Sequence, residues 1–171
     1  FFIVLTALSK NSKLIIKNVN INSSRKGVIT ILKKMGVNII FKNIKMYKGE
    51  KNADIEIKSP KRLKAINCPT ILNSGAIDEF LIIFLVAAKS KGISYFKDLS
   101  ELNQKESPRL NWGSKILNMM GVKTVTTNSS IKIYSNTDLK IDTTIHINNY
   151  LTYPIILINS LFYTTDDPDR P

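Results

Sequence analysis

Ile31-Leu32-Lys33-Lys34-Met35-Gly36-Val37 and Ile116-Leu117-Asn118-Met119-Met120-Gly121-Val122 are two versions of one segment, and their agreement decides the fold. In each, an apolar helical stripe runs into Met-Gly-Val, with glycine where a helix ends. Upstream, the apolar run Phe1 to Leu8 matches Leu81 to Ala88. Each run is followed by a polar turn and a strand, Lys13 to Val19 and Gly92 to Leu99. Downstream, each copy closes in strands: Asn38 to Phe41 with Ala53 to Lys58, and Lys123 to Thr126 with Ser130 to Tyr134. The unit reads helix, strand, helix, strand, strand, which predicts stacked α/β modules rather than a doubly wound sheet. The division expected from this pattern is residues 1–75 and 76–136, with the start of a third unit up to residue 150. Both apolar helices are expected to be buried together, because helices apolar all round belong inside.

The copies differ at one place. The first helices are offset by about 80 residues and the second by about 85, so the second copy carries about five extra residues before its second helix. That insertion contains Lys105-Glu106-Ser107-Pro108-Arg109. Ser107 followed by Pro108 reads as an N-cap with proline at the first helical position. Leu110, Ile116, Leu117 and Met120 carry the helix on to Gly121. A helix N-terminus attracts anions through its unpaired N–H groups and partial positive charge. With Lys105 and Arg109 flanking it and Glu106 able to handle protons, this is a candidate site for a phosphorylated or carboxylated small molecule. An insertion at one loop of a repeated scaffold is a common way to build such a site. Asp78-Glu79 opens the other helix of the same unit. Acids there complement the helix dipole, and they also lie at the same end of the unit as the insertion.

Composition narrows the function classes. The 171 residues are 43% hydrophobic, enough for a sizeable core. The single cysteine, Cys68, reads as a small core residue in a reducing, cytoplasmic setting and excludes a disulfide framework. His146 stands alone in a strand-like alternation, so neither a zinc site nor a Ser-His-Asp arrangement can be assembled, and no metal or cofactor is expected. The net charge of +12 is almost wholly lysine, since Arg25, Arg62, Arg109 and Arg170 are the only arginines. No basic run is interleaved with aromatics, so nucleic acid is not the expected partner, although a basic surface draws anions. The opening run is too short to span a bilayer and lacks the flanks of a signal peptide. No membrane partner is expected. Because the chain opens without Met inside an apolar segment, it is expected to be a piece of a longer protein.

Taken together, Ile77-Asp78-Glu79-Phe80, Glu101 to Leu110 and Met120-Gly121-Val122 resemble the EPSP synthase (3-phosphoshikimate 1-carboxyvinyltransferase) family. The family pattern at the central cluster is Lys-Glu-Ser/Thr-Asp-Arg, so Pro108 replaces the usual Asp and the other positions hold. Ser24-Arg25 with Gly27, Met35-Gly36-Val37, Gly49-Glu50 and Ala53-Asp54-Ile55 also fall where the family has similar residues. The resemblance covers about Phe1 to Tyr150. It implies an inside-out α/β barrel of repeated βαβαββ units with pseudo-threefold symmetry, here incomplete.

The resemblance also implies a reaction: transfer of the enolpyruvyl group of phosphoenolpyruvate to the 5-hydroxyl of shikimate 3-phosphate, with release of phosphate. Asp78 matches the carboxylate that contacts shikimate hydroxyls and is implicated in proton removal. Lys105 matches the lysine near the reacting hydroxyl and phosphate. Glu106 matches the acid that exchanges a proton with the methylene carbon, and Arg109 an arginine that holds phosphoenolpyruvate. A monomeric whole enzyme is implied. The family's N-terminal Lys/Ser/Arg cluster would lie before Phe1. After Tyr150 the sequence no longer follows the family, so residues 151–171 are expected to be a divergent tail, truncated or frame-shifted. Two other readings stand beside this one: the related transferase acting on UDP-N-acetylglucosamine, whose reactive loop cysteine has no counterpart in the context of Cys68, and a non-catalytic basic module binding RNA or other anions.

Overall fold

The computed structural model describes residues 1–22, 26–104 and 108–136. His146 and the tail from residue 151 therefore lie outside the described residues. The chain forms α1 (Phe2–Leu8), β1 (Lys13–Asn20), α2 (Gly27–Lys34), β2 (Asn38–Tyr47) and β3 (Glu50–Lys58). It continues through α3 (Phe80–Lys89), β4 (Ile93–Phe96), α4 (Ser100–Asn103), α5 (Arg109–Met119), β5 (Thr124–Thr126) and β6 (Ile131–Tyr134). Two three-stranded sheets result, ordered β1-β3-β2 and β4-β6-β5. In both, the last strand of the unit lies in the middle and runs antiparallel to its two neighbours. Apart from the extra helix α4, the two stretches share their element order and their sheet order.

The Met-Gly-Val segments end their helices identically. After α2, the Gly36 and Val37 N–H groups donate to Lys33 O and Leu32 O, each at 3.0 Å. After α5, the Gly121 and Val122 N–H groups donate to Asn118 O and Leu117 O at 3.0 and 2.9 Å. This paired pattern satisfies the last carbonyls of each helix and requires a left-handed residue, which glycine supplies at φ 95° and 76°. The valines that follow are buried, so each chain turns back into the core.

That core is centred on α3. Phe80, Leu81, Ile83, Phe84, Leu85, Val86, Ala87 and Ala88 are all buried, and the rings of Phe80, Phe84 and Phe96 meet at centroid separations of 5.3–5.9 Å. α1, α2 and α5 pack around it. The helix α1 is less enclosed than its apolar sequence predicts. Val4, Thr6 and Ala7 are buried where α1 meets α3, β1 and β3, but Phe1 and Phe2 at its start are 41% and 61% exposed.

Two further differences concern strands. The hairpin β2–β3 extends well past the expected strands to a turn at Lys48-Gly49, where both residues have positive φ, as a two-residue hairpin turn matching strand twist needs. Isolated parallel bridges join Lys64 to Lys91, just before β4, and Asn67 to Tyr95 within it. Residues upstream of the expected division at residue 75 thus bond to the edge of the second sheet.

Candidate functional site

Asp78 and Arg109, 31 residues apart in sequence, meet at the start of α5: Arg109 Nη1 donates to Asp78 Oδ1 at 3.2 Å. Each is delivered by a different device. Asp78 lies in a 3-10 segment, Ser74–Glu79, that leads directly into α3. Glu79 immediately precedes α3, where an acid complements the helix dipole, and it makes no side-chain cap bond. The tighter 3-10 winding turns Asp78 outward, with its side chain 69% exposed. What positions this segment is a close approach. A Cβ on Gly27, at the start of α2, would lie 2.4 Å from the carbonyl carbon and oxygen of Gly75. Only glycine lets α2 sit this near.

Arg109 is the first residue of α5. The helix begins one residue later than expected, with Pro108 outside it at φ −71°, ψ 76° and no side-chain cap from its own N-cap residue. Ser107 lies outside the described residues. A cap bond arrives from elsewhere: Asn103, the last residue of α4, accepts the Asn111 N–H on Oδ1 at 3.4 Å and donates from Nδ2 to Asn128 O at 3.1 Å. One side chain thereby joins α4, the first turn of α5 and the β5–β6 turn. Neither this role nor that of Asn73 described below is marked by local pattern, since both depend on partners distant in sequence.

The guanidinium is asymmetrically placed. The Arg109 side chain is only 15% exposed, and among the described residues its buried Nε–H has no hydrogen-bond partner. A buried donor without an acceptor is costly, and a bound anion would supply one. Planar guanidinium suits a carboxylate or phosphate presenting two oxygens. Lys105 and Glu106 fall between Gln104 and Pro108, outside the described residues. Of the four residues that the sequence singles out, the structure thus brings together Asp78 and Arg109. A shallow groove of about 500 Å³, lined by Asn111, Ser114, Lys115, Asn118 and Met119, runs along α5 and includes neither of them.

Other candidates resolve as structure. Cys68 is buried, and burial pushes its thiol up to about 11, so it is a protonated core residue. Asp54 braces the first sheet: it accepts from the Asn18 N–H at 2.9 Å, from Asn43 Nδ2 at 2.8 Å and from Lys17 Nζ at 3.2 Å. Asn18 and Asn43 occupy the left-handed region where β1 and β2 shift register. Glu56, on the same strand, is buried beneath Lys42, Lys13 and Lys58 at 2.8, 3.4 and 3.7 Å. No helix among the described residues is long and apolar enough to cross a membrane.

The arrangement is that of an enolpyruvyl transferase scaffold. The fold aligns with the enolpyruvyl transferase NikO from Streptomyces tendae at a TM-score of 0.55 and 13% identity, covering 78% of this chain and 28% of that one. It aligns more closely with EPSP synthase from Acinetobacter baumannii, at a TM-score of 0.76 and 36% identity over 78% of this chain and 30% of that one. The chain belongs to the EPSP synthase (3-phosphoshikimate 1-carboxyvinyltransferase) family, whose model matches residues 1–146. A 3-phosphoshikimate 1-carboxyvinyltransferase from Thermoanaerobacter sp. (strain X514) is 37% identical over 150 residues, covering 88% of this chain and 35% of the relative. That of Ruthia magnifica is 40% identical over 133 residues, covering 78% and 30%. The chain thus spans about a third of the length of these relatives.

Proposed function

We propose that this chain forms part of an enzyme that transfers the enolpyruvyl group of phosphoenolpyruvate to the 5-hydroxyl of shikimate 3-phosphate, giving EPSP and inorganic phosphate. The reaction belongs to the shikimate pathway to chorismate and the aromatic amino acids. The observation that carries this reading is the Asp78–Arg109 pair: two of the four residues singled out by the family pattern, brought together from separate elements at one helix start. The family match and the curated names favour this reading over transfer to UDP-N-acetylglucosamine. We read the two units as parts of an inside-out barrel of βαβαββ modules about a pseudo-threefold axis. Their shared element and sheet order supports this.

The chemistry assigns each side chain a task. The 5-oxygen attacks C2 of phosphoenolpyruvate as C3 takes up a proton, giving a tetrahedral intermediate with a methyl group. That intermediate then loses a proton from the methyl carbon. The bond from C2 to the phosphate oxygen breaks, its electron pair leaving with phosphate, and the carbon–carbon double bond reforms. Arg109 holds the phosphoenolpyruvate anion with the N–H groups that Asp78 leaves available. Asp78 orients the shikimate hydroxyls and helps to remove the 5-hydroxyl proton. Lys105 neutralises charge near the reacting hydroxyl and phosphate, and Glu106 exchanges the proton at C3.

Titrating the labelled chain with phosphoenolpyruvate and shikimate 3-phosphate, observed by NMR, tests this reading. Saturable shifts at Arg109 and at the Leu110 and Asn111 amides are expected, with the amide shifts lost in Arg109→Ala. Salt-dependent retention on oligonucleotides that shikimate 3-phosphate fails to displace would instead favour a basic binding module.

A further inference from the structure

We infer that Asn73 is a positioning residue that holds the two halves of this site in register. The inference rests on reading Asp78 and Arg109 as the substrate-binding pair. Asn73 immediately precedes the 3-10 segment that carries Asp78, and it is 9% exposed. Its Nδ2 donates to two main-chain carbonyls, Lys97 O at 2.8 Å and Asp98 O at 3.1 Å. Those carbonyls begin the connection that leaves β4 and runs through α4 to Arg109. A carboxamide NH₂ has two hydrogens and matches two acceptors. Two successive carbonyls converge on one nitrogen here where the backbone turns at Asp98, which is left-handed at φ 53°.

The asparagine is itself anchored. Its N–H donates to Thr70 O and its carbonyl accepts the Ala76 N–H, both at 3.0 Å, so the side chain relays the position of the 3-10 segment to the connection. Beyond Asp98, the Leu99 N–H donates to Ser129 O at 2.8 Å, and Asn103 ties the far end of the connection to α5. Asn73 thus holds the start of this connection at Lys97 and Asp98, and Asn103 ties α4 to the first turn of α5. Without the carboxamide, two carbonyls lose their donor and Asp98 loses what holds it left-handed, a conformation unfavourable for a residue with a Cβ. The connection then shifts relative to Asp78.

The test uses the full 171-residue chain, ¹⁵N-labelled, as wild type, Asn73→Ala, Asn73→Ser and the control Ile57→Val, which thins the buried centre of the first sheet. Without ligand, Asn73→Ala should move the Arg109 Nε–Hε signal and the Leu110 and Asn111 amides, while Ile57→Val lowers the urea midpoint and leaves those signals in place. Asn73→Ser, which keeps one donor, should move them part of the way. It carries the test if Asn73→Ala does not fold. With phosphoenolpyruvate, Asn73→Ala should raise the dissociation constant by about tenfold, as misplacing a binding group does, and Ile57→Val by less than about twofold. Arg109 signals unchanged in the folded Asn73 variants, or moved equally by Ile57→Val, would overturn the inference. A wild-type chain that ignores phosphoenolpyruvate would count against the proposed function, while the ligand-free shifts still decide whether Asn73 positions Arg109.

Discussion

Gly36 and Gly121 occupy the same place in the two units: each follows a methionine, precedes a buried valine and closes a helix with positive φ. Neither is crowded, since a Cβ at either position would find its nearest neighbour at 3.5 Å. The cost of a side chain there is therefore conformational rather than steric. Gly36→Ala and Gly121→Ala should each destabilise the chain by about 1–2 kcal/mol, and by similar amounts. Urea unfolding of both variants checks this, and a twofold or greater disparity would break the equivalence of the units.

Gly27 presents the opposite case. A methyl group there would overlap the Gly75 backbone at 2.4 Å, and backbone cannot step aside as a flexible side chain can. Gly27→Ala should cost about 1–3 kcal/mol. It should also displace the segment bearing Asp78, which the Asp78 amide shift would report.

The pair at the site separates binding from stability. Because Asp78 is largely exposed, its bond to Arg109 is expected to add less than about 1 kcal/mol to folding. Asp78→Ala should then leave the urea midpoint nearly unchanged while weakening the response to shikimate 3-phosphate by about tenfold or more. Parallel losses in both measurements would assign Asp78 to the scaffold alone.

Acid should attack the first sheet. Hydrogen bonds from the Asn18 N–H and from Asn43, with Lys17, hold the Asp54 carboxyl down to about 2, against an ordinary value of 3.8. A carboxyl depressed by folding contributes stability that is present above its unfolded pKa and lost as pH falls through its folded pKa. That places the loss between about pH 4 and pH 2. Glu56 is shifted in the same direction, chiefly by its bond from Lys42. Urea midpoints measured across this range should fall steeply for the wild type and less steeply for Asp54→Asn, with Glu56 supplying the remaining slope.

The isolated chain should not turn over. The proposed reaction gathers two anionic substrates, and a chain spanning about a third of its relatives supplies only Lys105 and Arg109 of the matched cations. Transition-state contacts each contribute on the order of 10²–10³ in rate, and groups acting together fail together. Phosphate release from phosphoenolpyruvate and shikimate 3-phosphate should stay at background. Turnover that disappears in Asp78→Ala and Lys105→Met would contradict this expectation.

What the sequence by itself determined is local and periodic. The two apolar helices, the Met-Gly-Val terminators and the repeat itself are legible because each rests on chemistry within a few residues: glycine's access to positive φ, and an apolar stripe of helical period. Asp78 and Arg109 could be singled out as chemistry-bearing residues for the same reason, at helix starts of one unit. The outer half of the β2–β3 hairpin was illegible, because residues from Lys42 to Lys51 are largely exposed on both faces and so carry no burial alternation. Tertiary structure alone decided that 64–68 bridges to the second sheet and that Asp78 sits in a 3-10 segment whose Gly75 is pressed against Gly27. It alone decided that Asn73 bonds to the carbonyls that follow β4 and Asn103 to the first turn of α5. Each of these depends on which groups arrive from more distant segments of the chain. A hydrogen-bond donor such as the Asn73 carboxamide acquires its role only when the fold brings the Lys97 and Asp98 carbonyls to it.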